Sequence, residues 1–334
     1  MSLRNIVANA GRARRFISRG FQFAFYDFTR EMSRGKRILM WAAILVQAYA
    51  IFALVTRSFV WPIMWPRPRI VFTAGIVLFY SAYTLMNGLL AAELVRKRQL
   101  ESDQIAARKI QQMLIPKELE PLSGYEMETY YQPYRDVGGD YFDVIALGEN
   151  HTLISLADVS GKGMAAALLS SNIQALVRSM SSVGAEPVSL AKQINQHLCR
   201  HTPSSSFATA VFLVLNKNSG ELTYVNAGHN APIISGTGGT KLLQATGMPL
   251  GLFPDSEYEA GTDSLDRGDS LLLFTDGLTD SIDSRDSEAR LCATLKENTD
   301  IKKTMLQLRS LMTERLNRDD VTILLLARSL PTSD

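Results

Sequence analysis

The stretch "YRDVGGDYFDVIALGENHTLISLADVSGKG", residues 134–163, decides the fold of the second part of this chain. Two runs rich in Tyr, Phe, Val, Ile and Leu predict two β-strands, because these residue types favour strands and the "GEN" between them favours a turn. Aspartate disfavours strands, yet Asp136, Asp140, Asp143 and Asp158 all fall in this stretch. Carboxylates that recur at strand ends indicate a function beyond the fold.

The net charge of +2 over 334 residues hides a strong asymmetry along the chain. Residues 1–37 carry +7, residues 38–95 carry +2 and residues 96–117 carry +4, which leaves −11 for residues 118–334. A basic front and an acidic back indicate two parts with different roles. The acidic part also lacks the basic and aromatic surface that is typical of nucleic-acid binding.

Two apolar runs in the front part, residues 38–56 and 70–92, contain no charged side chain over 19 and 23 residues. At ~1.5 Å per residue each is long enough to cross a hydrocarbon core of ~30 Å as a helix. Positive charge is concentrated outside the pair, so we expect both termini in the cytoplasm. The pattern predicts a two-helix transmembrane hairpin behind a basic cytoplasmic segment, residues 1–37. A pair of buried core helices is the alternative.

Residues 96–117 are the predicted connecting helix, which contains no Gly and no Pro before Pro116. Leu100, Ile105 and Ile110 form a thin apolar stripe on this otherwise polar helix. A single apolar seam favours a parallel homodimer contact. Packing of the stripe against the chain's own domain is the alternative.

Residues 118–330 are predicted to form one α+β domain. Their strands come mainly in hairpin-like pairs, and their helical patterns are grouped at 164–180, 188–201 and about 284–316. This order favours a layered arrangement of sheets and helices, because a doubly wound sheet would place a helix after each strand.

Five aspartates in this domain lie where an apolar strand meets a loop: Asp140, Asp158, Asp276, Asp319 and Asp320. Carboxylates that converge at one edge repel one another unless cations lie between them. Oxygen ligands without His or Cys favour Mg²⁺ or Mn²⁺ over Zn²⁺. Taken singly, each Asp is more commonly explained by turn chemistry or helix capping, but several in this arrangement favour the cation site.

Other chemistries find little support in the sequence. Neither Cys199 nor Cys292 begins a Cys-x5-Arg run, so a cysteine phosphatase is excluded. His197 and His201 flank Cys199 on a predicted helix, but a zinc site there lacks a distant partner. His229 lies in the turn "NAGHNAP", where a structural and a catalytic role both remain open.

Motifs throughout residues 118–328 resemble, in sequence order, those of the metal-dependent protein serine/threonine phosphatases of the SpoIIE/RsbU-type bacterial branch: "RDVGGDYFDV", "ADVSGKGMAAALLSS", "NAGHNAP", "TGMPLGL", "LLLFTDGLTDS" and "DDVTILLL". The resemblance implies a layered α-β-β-α sandwich with two Mn²⁺ or Mg²⁺ ions. By the same resemblance, Asp158 bridges the ions and the Val159 carbonyl binds one of them. Asp140 serves the first metal, directly or through water.

The second metal is assigned, again by resemblance, to Asp276 and Asp319, with Asp320 as the alternative to Asp319. Relatives of the human type place an arginine on the substrate phosphate, which this branch generally lacks. Arg135 and Lys162 are our hypothetical substitutes for it.

The implied function is a membrane-anchored protein serine/threonine phosphatase that uses a metal-activated water. Its expected partner is a phosphorylated regulatory protein, by resemblance an anti-sigma-factor antagonist. We expect a multi-pass protein of the bacterial inner membrane with its catalytic domain in the cytoplasm. A non-catalytic membrane scaffold that binds a phosphoprotein and a small-molecule phosphohydrolase are the alternatives.

Overall fold

The computed structural model describes parts of residues 35–52, residues 68–114 and most of residues 121–330. Within the last range, residues 135–136, 182–185, 204, 284–285, 298–299 and 314–318 lie outside the described residues. The chain divides into two compact units, Met1–Glu101 and Ser102–Asp334.

Helix α1, Pro68–Leu114, is one continuous helix of 47 residues. It joins the second predicted span to the predicted connecting helix, because no proline interrupts the sequence between them. Within it, Gly75–Leu100 is long and apolar enough to cross a membrane, with a mean hydropathy of 1.4. It is the one such helix among the described residues. The other predicted span, 38–56, is described only in part, so the hairpin stays a prediction.

The described apolar side chains of the connecting helix are largely exposed, although the Gln111 side chain of the same helix donates to the Gly138 carbonyl (2.5 Å) and accepts from the Gly138 amide (3.0 Å). Leu100, Ile105, Ile110 and Met113 are each more than half exposed. Gln111, which lies between two of them in sequence, is buried. Exposure of these four side chains among the described residues is compatible with a contact to a second copy, which stays a prediction.

The rest of the second unit contains two five-stranded antiparallel sheets. The first sheet has the order β1-β10-β9-β6-β7 and the second has the order β2-β3-β4-β5-β8. The strands are β1 Tyr125–Gln132, β2 Tyr141–Leu147, β3 His151–Val159, β4 Ala208–Asn216, β5 Glu221–Ala227, β6 Ile233–Gly236, β7 Gly239–Leu242, β8 Gly261–Ser264, β9 Ser270–Phe274 and β10 Val321–Arg328.

Helices cover the outer faces of both sheets, so the layers run helix, sheet, sheet, helix. The helices are α2 Met164–Ser181, α3 Pro187–His201, α4 Asp276–Asp280, α5 Ser287–Glu297 and α6 Ile301–Ser310. The helical block predicted at 284–316 is two helices rather than one. Asp300 accepts hydrogen bonds from the Lys302 and Lys303 amides and so starts a new helix.

Alternation along the strands builds these layers. On β3, Ile154 and Leu156 belong to the core between the sheets, whereas Leu153 and Ala157 belong to the core under α2 and α3. Successive side chains of a strand point to opposite faces, so an apolar strand can be buried on both sides. The predicted α+β layered fold is thus present, and it brings the ends of four strands together.

Candidate active site

The five predicted aspartates lie at one end of the two sheets. Asp140 directly precedes β2 and Asp158 is the penultimate residue of β3. Because these strands are antiparallel, with Tyr141 opposite Ala157, both carboxylates fall at the same end of the second sheet. Asp276 follows β9 after one residue, and Asp319 and Asp320 directly precede β10. The expectation that acids stand at strand ends is confirmed.

Asp140 joins the two sheets. Its Oδ2 accepts hydrogen bonds from the hydroxyl groups of Thr275 (2.9 Å) and Thr322 (2.5 Å), which belong to the end of the first sheet. Its Oδ1 is buried and has no hydrogen-bond partner among the described residues. Burial, followed by the negative charge of Asp158, raises the pKa of Asp140 well above its usual range. No described residue donates to this oxygen, and the hydrogen bond between the Asp140 and Asp158 carboxyl groups requires one of the two to be protonated.

The carboxylates are close enough to affect one another's protonation. Burial raises the pKa of Asp158 to about 7, and the negative charges of Asp276, Asp319 and Asp320 add to the rise. The pKa of Asp276 is also raised, first by burial and then by Asp319. In each case burial is the largest cause, because it disfavours the charged form, and repulsion between neighbouring carboxylates adds to it.

Two glycines allow the loop before Asp140 to lie against these groups. A Cβ on Gly138 would stand 2.5 Å from the Tyr131 hydroxyl oxygen and 2.9 Å from the Asp320 carboxylate. A Cβ on Gly139 would stand 3.1 Å from the carbonyl oxygen of Val159. Any side chain at Gly138 would displace its neighbours, so the "GGD" spacing follows from close backbone approach.

The two adjacent acids before β10 have different surroundings. Asp320 is buried, and its two oxygens accept hydrogen bonds from the amides of Tyr134 (2.7 Å) and Gly139 (2.5 Å). The Asp319 side chain is about a third exposed, and its Oδ2 lies 2.5 Å from the Lys162 ammonium. Asp320 thus holds the glycine loop, whereas Asp319 pairs with the partly exposed ammonium of Lys162.

Of the two predicted phosphate-binding residues, one is described. Lys162 lies at the rim, with its Nζ on Asp319 and 5.2 Å from the centre of the Tyr134 ring. The hydrogen bond from Lys162 to Asp319 raises the pKa of Lys162. Arg135 lies outside the described residues.

Three further residues support the site: two threonines that the sequence did not single out, and His229, whose role the sequence left open. Thr275 and Thr322 hold Asp140, as described above, and His229 spans the two sheets. The His229 Nδ1 lies 2.7 Å from the Thr209 hydroxyl, and its Nε2 lies 3.1 Å from the Phe274 carbonyl oxygen. Burial lowers the pKa of His229 to about 4. The neutral ring therefore donates to Phe274 and accepts from Thr209, and both its nitrogens are engaged in the fold.

A signal for the two threonines exists in the sequence. Thr275 directly precedes Asp276, and Thr322 follows Asp320 after one residue, in each case a hydroxyl next to an apolar strand. Their shared partner, Asp140, is 135 residues or more away in sequence. A hydroxyl residue beside an apolar strand can be recognised in the sequence, but this pattern does not identify its hydrogen-bond partner.

Across the described residues, no three His, Cys, Asp or Glu side chains stand in position to ligate one ion. This applies to the predicted carboxylates and to His197, Cys199 and His201 alike. The carboxylates nevertheless fit a hard divalent cation by their chemistry, because all the donors are oxygen. The Oδ1 of Asp140, to which no described residue donates, and the raised pKa of Asp158 also favour a cation at this place.

Relatives with curated names are found among bacterial phosphatases. The phosphoserine phosphatase RsbP of Bacillus subtilis (strain 168) is 30% identical over 191 residues, which are 55% of this chain and 46% of RsbP. The phosphoserine phosphatase RsbU of the same organism is 26% identical over 208 residues, 62% of this chain and 60% of RsbU. The chain therefore spans about half the length of these curated relatives.

Solved structures share the fold. The RsbU and RsbW domains of Rv1364c from Mycobacterium tuberculosis match with a TM-score of 0.53 and 27% identity, over 63% of this chain and 62% of that one. The SiaA-PP2C domain of Pseudomonas aeruginosa matches with a TM-score of 0.58 and 20% identity, over 70% and 98%. RsbX, solved in complex with magnesium, matches with a TM-score of 0.52 and 23% identity, over 63% and 98%.

The family model for Stage II sporulation protein E (SpoIIE) matches residues 148–329, which is more than half of the chain. The matched range contains Asp158, Asp276, Asp319 and Asp320, and it begins just after Asp140. The fold and the named relatives agree with this match. The chain therefore belongs to the SpoIIE family.

Proposed function

We propose that this chain is a metal-dependent phosphoprotein phosphatase that hydrolyses phosphoserine or phosphothreonine on a regulatory protein. The observation that carries the proposal is the set of carboxylates at one end of the two sheets, in which the buried Oδ1 of Asp140 lacks a partner. Membership of the SpoIIE family and the similarity to two phosphoserine phosphatases support the reaction type.

Two Mn²⁺ or Mg²⁺ ions are the proposed cofactors. Asp140, Asp158, Asp276 and Asp319 would hold them with side-chain oxygens, and Val159 with its carbonyl. When bound, divalent ions supply a water of lowered pKa and neutralise charge on the phosphoryl oxygens. The all-oxygen donor set supports this choice, as does the magnesium in the related RsbX structure.

Within this proposal the chain's own residues divide the work. Thr275 and Thr322 fix one oxygen of Asp140 by hydrogen bonds, so that the other oxygen faces the ligand site. Both oxygens of Asp320 accept hydrogen bonds from the amides of Tyr134 and Gly139. Asp319 is therefore the proposed ligand. Asp319 becomes available when Lys162 leaves it.

The substrate phosphate would be met by Lys162 and Arg135. The Lys162 side chain is 43% exposed at the rim of the carboxylates, so its ammonium can turn from Asp319 towards an arriving phosphate. Charge-assisted hydrogen bonds of this kind are among the strongest available to a side chain. Arg135 keeps its proposed role from the sequence motif alone.

The proposed setting is the bacterial inner membrane, with the catalytic domain in the cytoplasm. The apolar helix Gly75–Leu100 supports a membrane anchor, and the two-span hairpin of residues 38–56 and 70–92 remains part of the proposal. The exposed stripe of α1 supports a homodimer. The regulatory substrate is proposed to be an anti-sigma-factor antagonist.

A substrate panel tests this function against its alternatives. Purified full-length protein in detergent with Mn²⁺ is given a phosphoserine protein, a phosphoserine peptide and a set of nucleotides, and released phosphate is measured. A protein phosphatase prefers the first two substrates. Preference for nucleotides would indicate a small-molecule phosphohydrolase, and binding of the phosphoprotein without phosphate release would indicate a scaffold.

A further inference from the structure

A groove of about 610 Å³ lies beside the carboxylates, between the end of β1 and helix α6. Tyr130, Pro133 and Tyr134 form one side of it, and Leu306, Arg309 and Met312 form the other. This groove is separate from the five aspartates and from Lys162, none of which lines it.

Tyr134 connects the groove to the candidate active site. Its amide donates to Asp320, and its ring lies under the ammonium of Lys162. The same side chain lines the groove. A chain that lies in the groove and passes Tyr134 therefore arrives at Lys162 and Asp319, where the substrate phosphate is expected.

The charge of the groove is opposite to that of its surroundings. Residues 118–334 carry a net charge of −11, yet the described residues that line the groove include Arg309 and no Asp or Glu. The Arg309 guanidinium lies 4.4 Å from the centre of the Tyr130 ring. This cation–π contact orients the side chain without neutralising its charge.

The groove also offers apolar surface next to that cation. Leu306 is 63% exposed and Tyr134 is 44% exposed. Aromatic and aliphatic side chains beside an arginine are typical of the residues that anchor protein contacts. The groove thus combines a place for an acidic side chain with a place for an apolar one.

We propose that this groove docks the segment of the phosphoprotein substrate that flanks its phosphoserine, and that this segment is acidic with an apolar residue. Arg309 pairs with an acidic side chain of the segment, and Leu306 and Tyr134 contact the apolar one. The inference rests on the proposed function, because it names the sequence context that the same active site selects. Arg309 is then a specificity residue and has no part in the chemical step.

Two phosphoserine peptides of equal length test the proposal, one with Glu and Leu and the other with Lys and Leu around the phosphoserine. Full-length protein in detergent is compared with Arg309→Glu and with Arg290→Glu. Arg290 is an exposed residue of α5 that does not line the groove, so its variant makes the same charge change elsewhere. Peptide binding is measured by fluorescence anisotropy, and phosphate release from both peptides and from para-nitrophenyl phosphate is measured alongside.

We expect wild type to bind the acidic peptide more tightly, and Arg309→Glu to weaken that binding about tenfold, as reversal of an interface charge does. Binding of the basic peptide should strengthen in the same variant, while kcat/KM for para-nitrophenyl phosphate stays within about twofold. Arg290→Glu should match wild type throughout. Unchanged peptide preference in Arg309→Glu, or an equal effect of Arg290→Glu, would overturn the groove assignment.

Failure of the proposed function would look different. If wild type released no phosphate from any of the three substrates, the phosphatase assignment would fall. The anisotropy titrations would still decide whether Arg309 selects the acidic peptide, because they require no turnover.

Discussion

The carboxylate cluster has a buried half, represented by Asp140, and a rim half, represented by Asp319. The two halves differ in how the negative charge of the carboxylate is balanced. Asp140 is buried, its Oδ2 is fixed by Thr275 and Thr322, and its Oδ1 is left without a partner. At the rim, Asp319 is partly exposed and takes the chain's own Lys162 as its cation. Under the proposed function, a divalent ion from solvent would balance the charge of the buried carboxylates, as Lys162 does for Asp319. The buried half should therefore respond more strongly to every change below.

The largest effect is expected from Asp276→Asn, which removes the negative charge but keeps the shape of a proposed ligand. Phosphate release should fall by at least ~100-fold, since loss of a ligand exceeds the 10–100-fold cost of disturbing a ligand's support. The circular dichroism spectrum should stay that of wild type. Normal turnover by this variant would remove Asp276 from the metal assignment.

The pH dependence of the free energy of unfolding should show what it costs to ionise Asp158 in the folded protein. Burial and the neighbouring acids raise the pKa of Asp158 from 3.8 to about 7. In EDTA, the stability that the protonated carboxyl contributes is complete below ~pH 4 and is lost as the pH rises through about 7. The Asn side chain of Asp158→Asn cannot ionise. The free energy of unfolding of this variant should therefore rise relative to that of wild type across this pH range, by up to ~4 kcal/mol.

Thermal unfolding in EDTA between pH 5 and pH 8 measures this difference. Comparison with the Asn variant cancels the titration of all other groups. If the difference in Tm between wild type and Asp158→Asn did not change with pH, the pKa of Asp158 would not be raised in the folded protein. Saturating Mn²⁺ should remove the gap by stabilising the wild type.

A smaller effect is expected from Thr322→Val, which keeps a β-branched side chain in β10 but removes the hydrogen bond to Asp140. Mn²⁺ affinity, measured by calorimetry, should fall by about 10–100-fold, because the ligand loses the group that orients it. Thr152→Val is the matched control, since Thr152 is also buried in a strand but lies at the far end of β3 from Asp158. Equal Mn²⁺ affinities in the two variants would mean that Asp140 does not contribute to the ion site.

The smallest effect is expected at the rim. Lys162→Met frees Asp319 from a pair that is largely exposed, and such pairs contribute less than ~1 kcal/mol. Mn²⁺ affinity should therefore rise by no more than about fivefold, while KM for a phosphoserine peptide increases. If Lys162→Met lowered Mn²⁺ affinity as strongly as Thr322→Val, the distinction between the two halves would be wrong.

The parts of this molecule that the sequence predicts well are those set by local patterns. The apolar runs that follow Asp140 and precede Asp158 and Asp276 predict strands with carboxylates at their ends, and that is where these carboxylates lie. The "GGD" and "SGKG" motifs predict loops at the same places.

The parts that the sequence does not predict depend on contacts between distant segments. Thr322 reaches Asp140 across 182 residues, and His229 joins Thr209 to Phe274 across both sheets. Which of Asp319 and Asp320 faces the loop depends on amides of residues 134 and 139, about 180 residues earlier in the chain. Spacing along one strand carries no information about such partners.

Metal dependence of phosphate release is the most direct test of the central claim. Full-length protein in detergent is incubated with a phosphoserine protein in Mn²⁺, in EDTA, and in EDTA followed by excess Mn²⁺, with Asp276→Asn as the matched control. We predict release in Mn²⁺, none in EDTA, recovery when Mn²⁺ is restored, and none from the variant in any condition. Release that persists in EDTA, or that Asp276→Asn retains, would contradict the assignment of these carboxylates to a metal-dependent phosphatase.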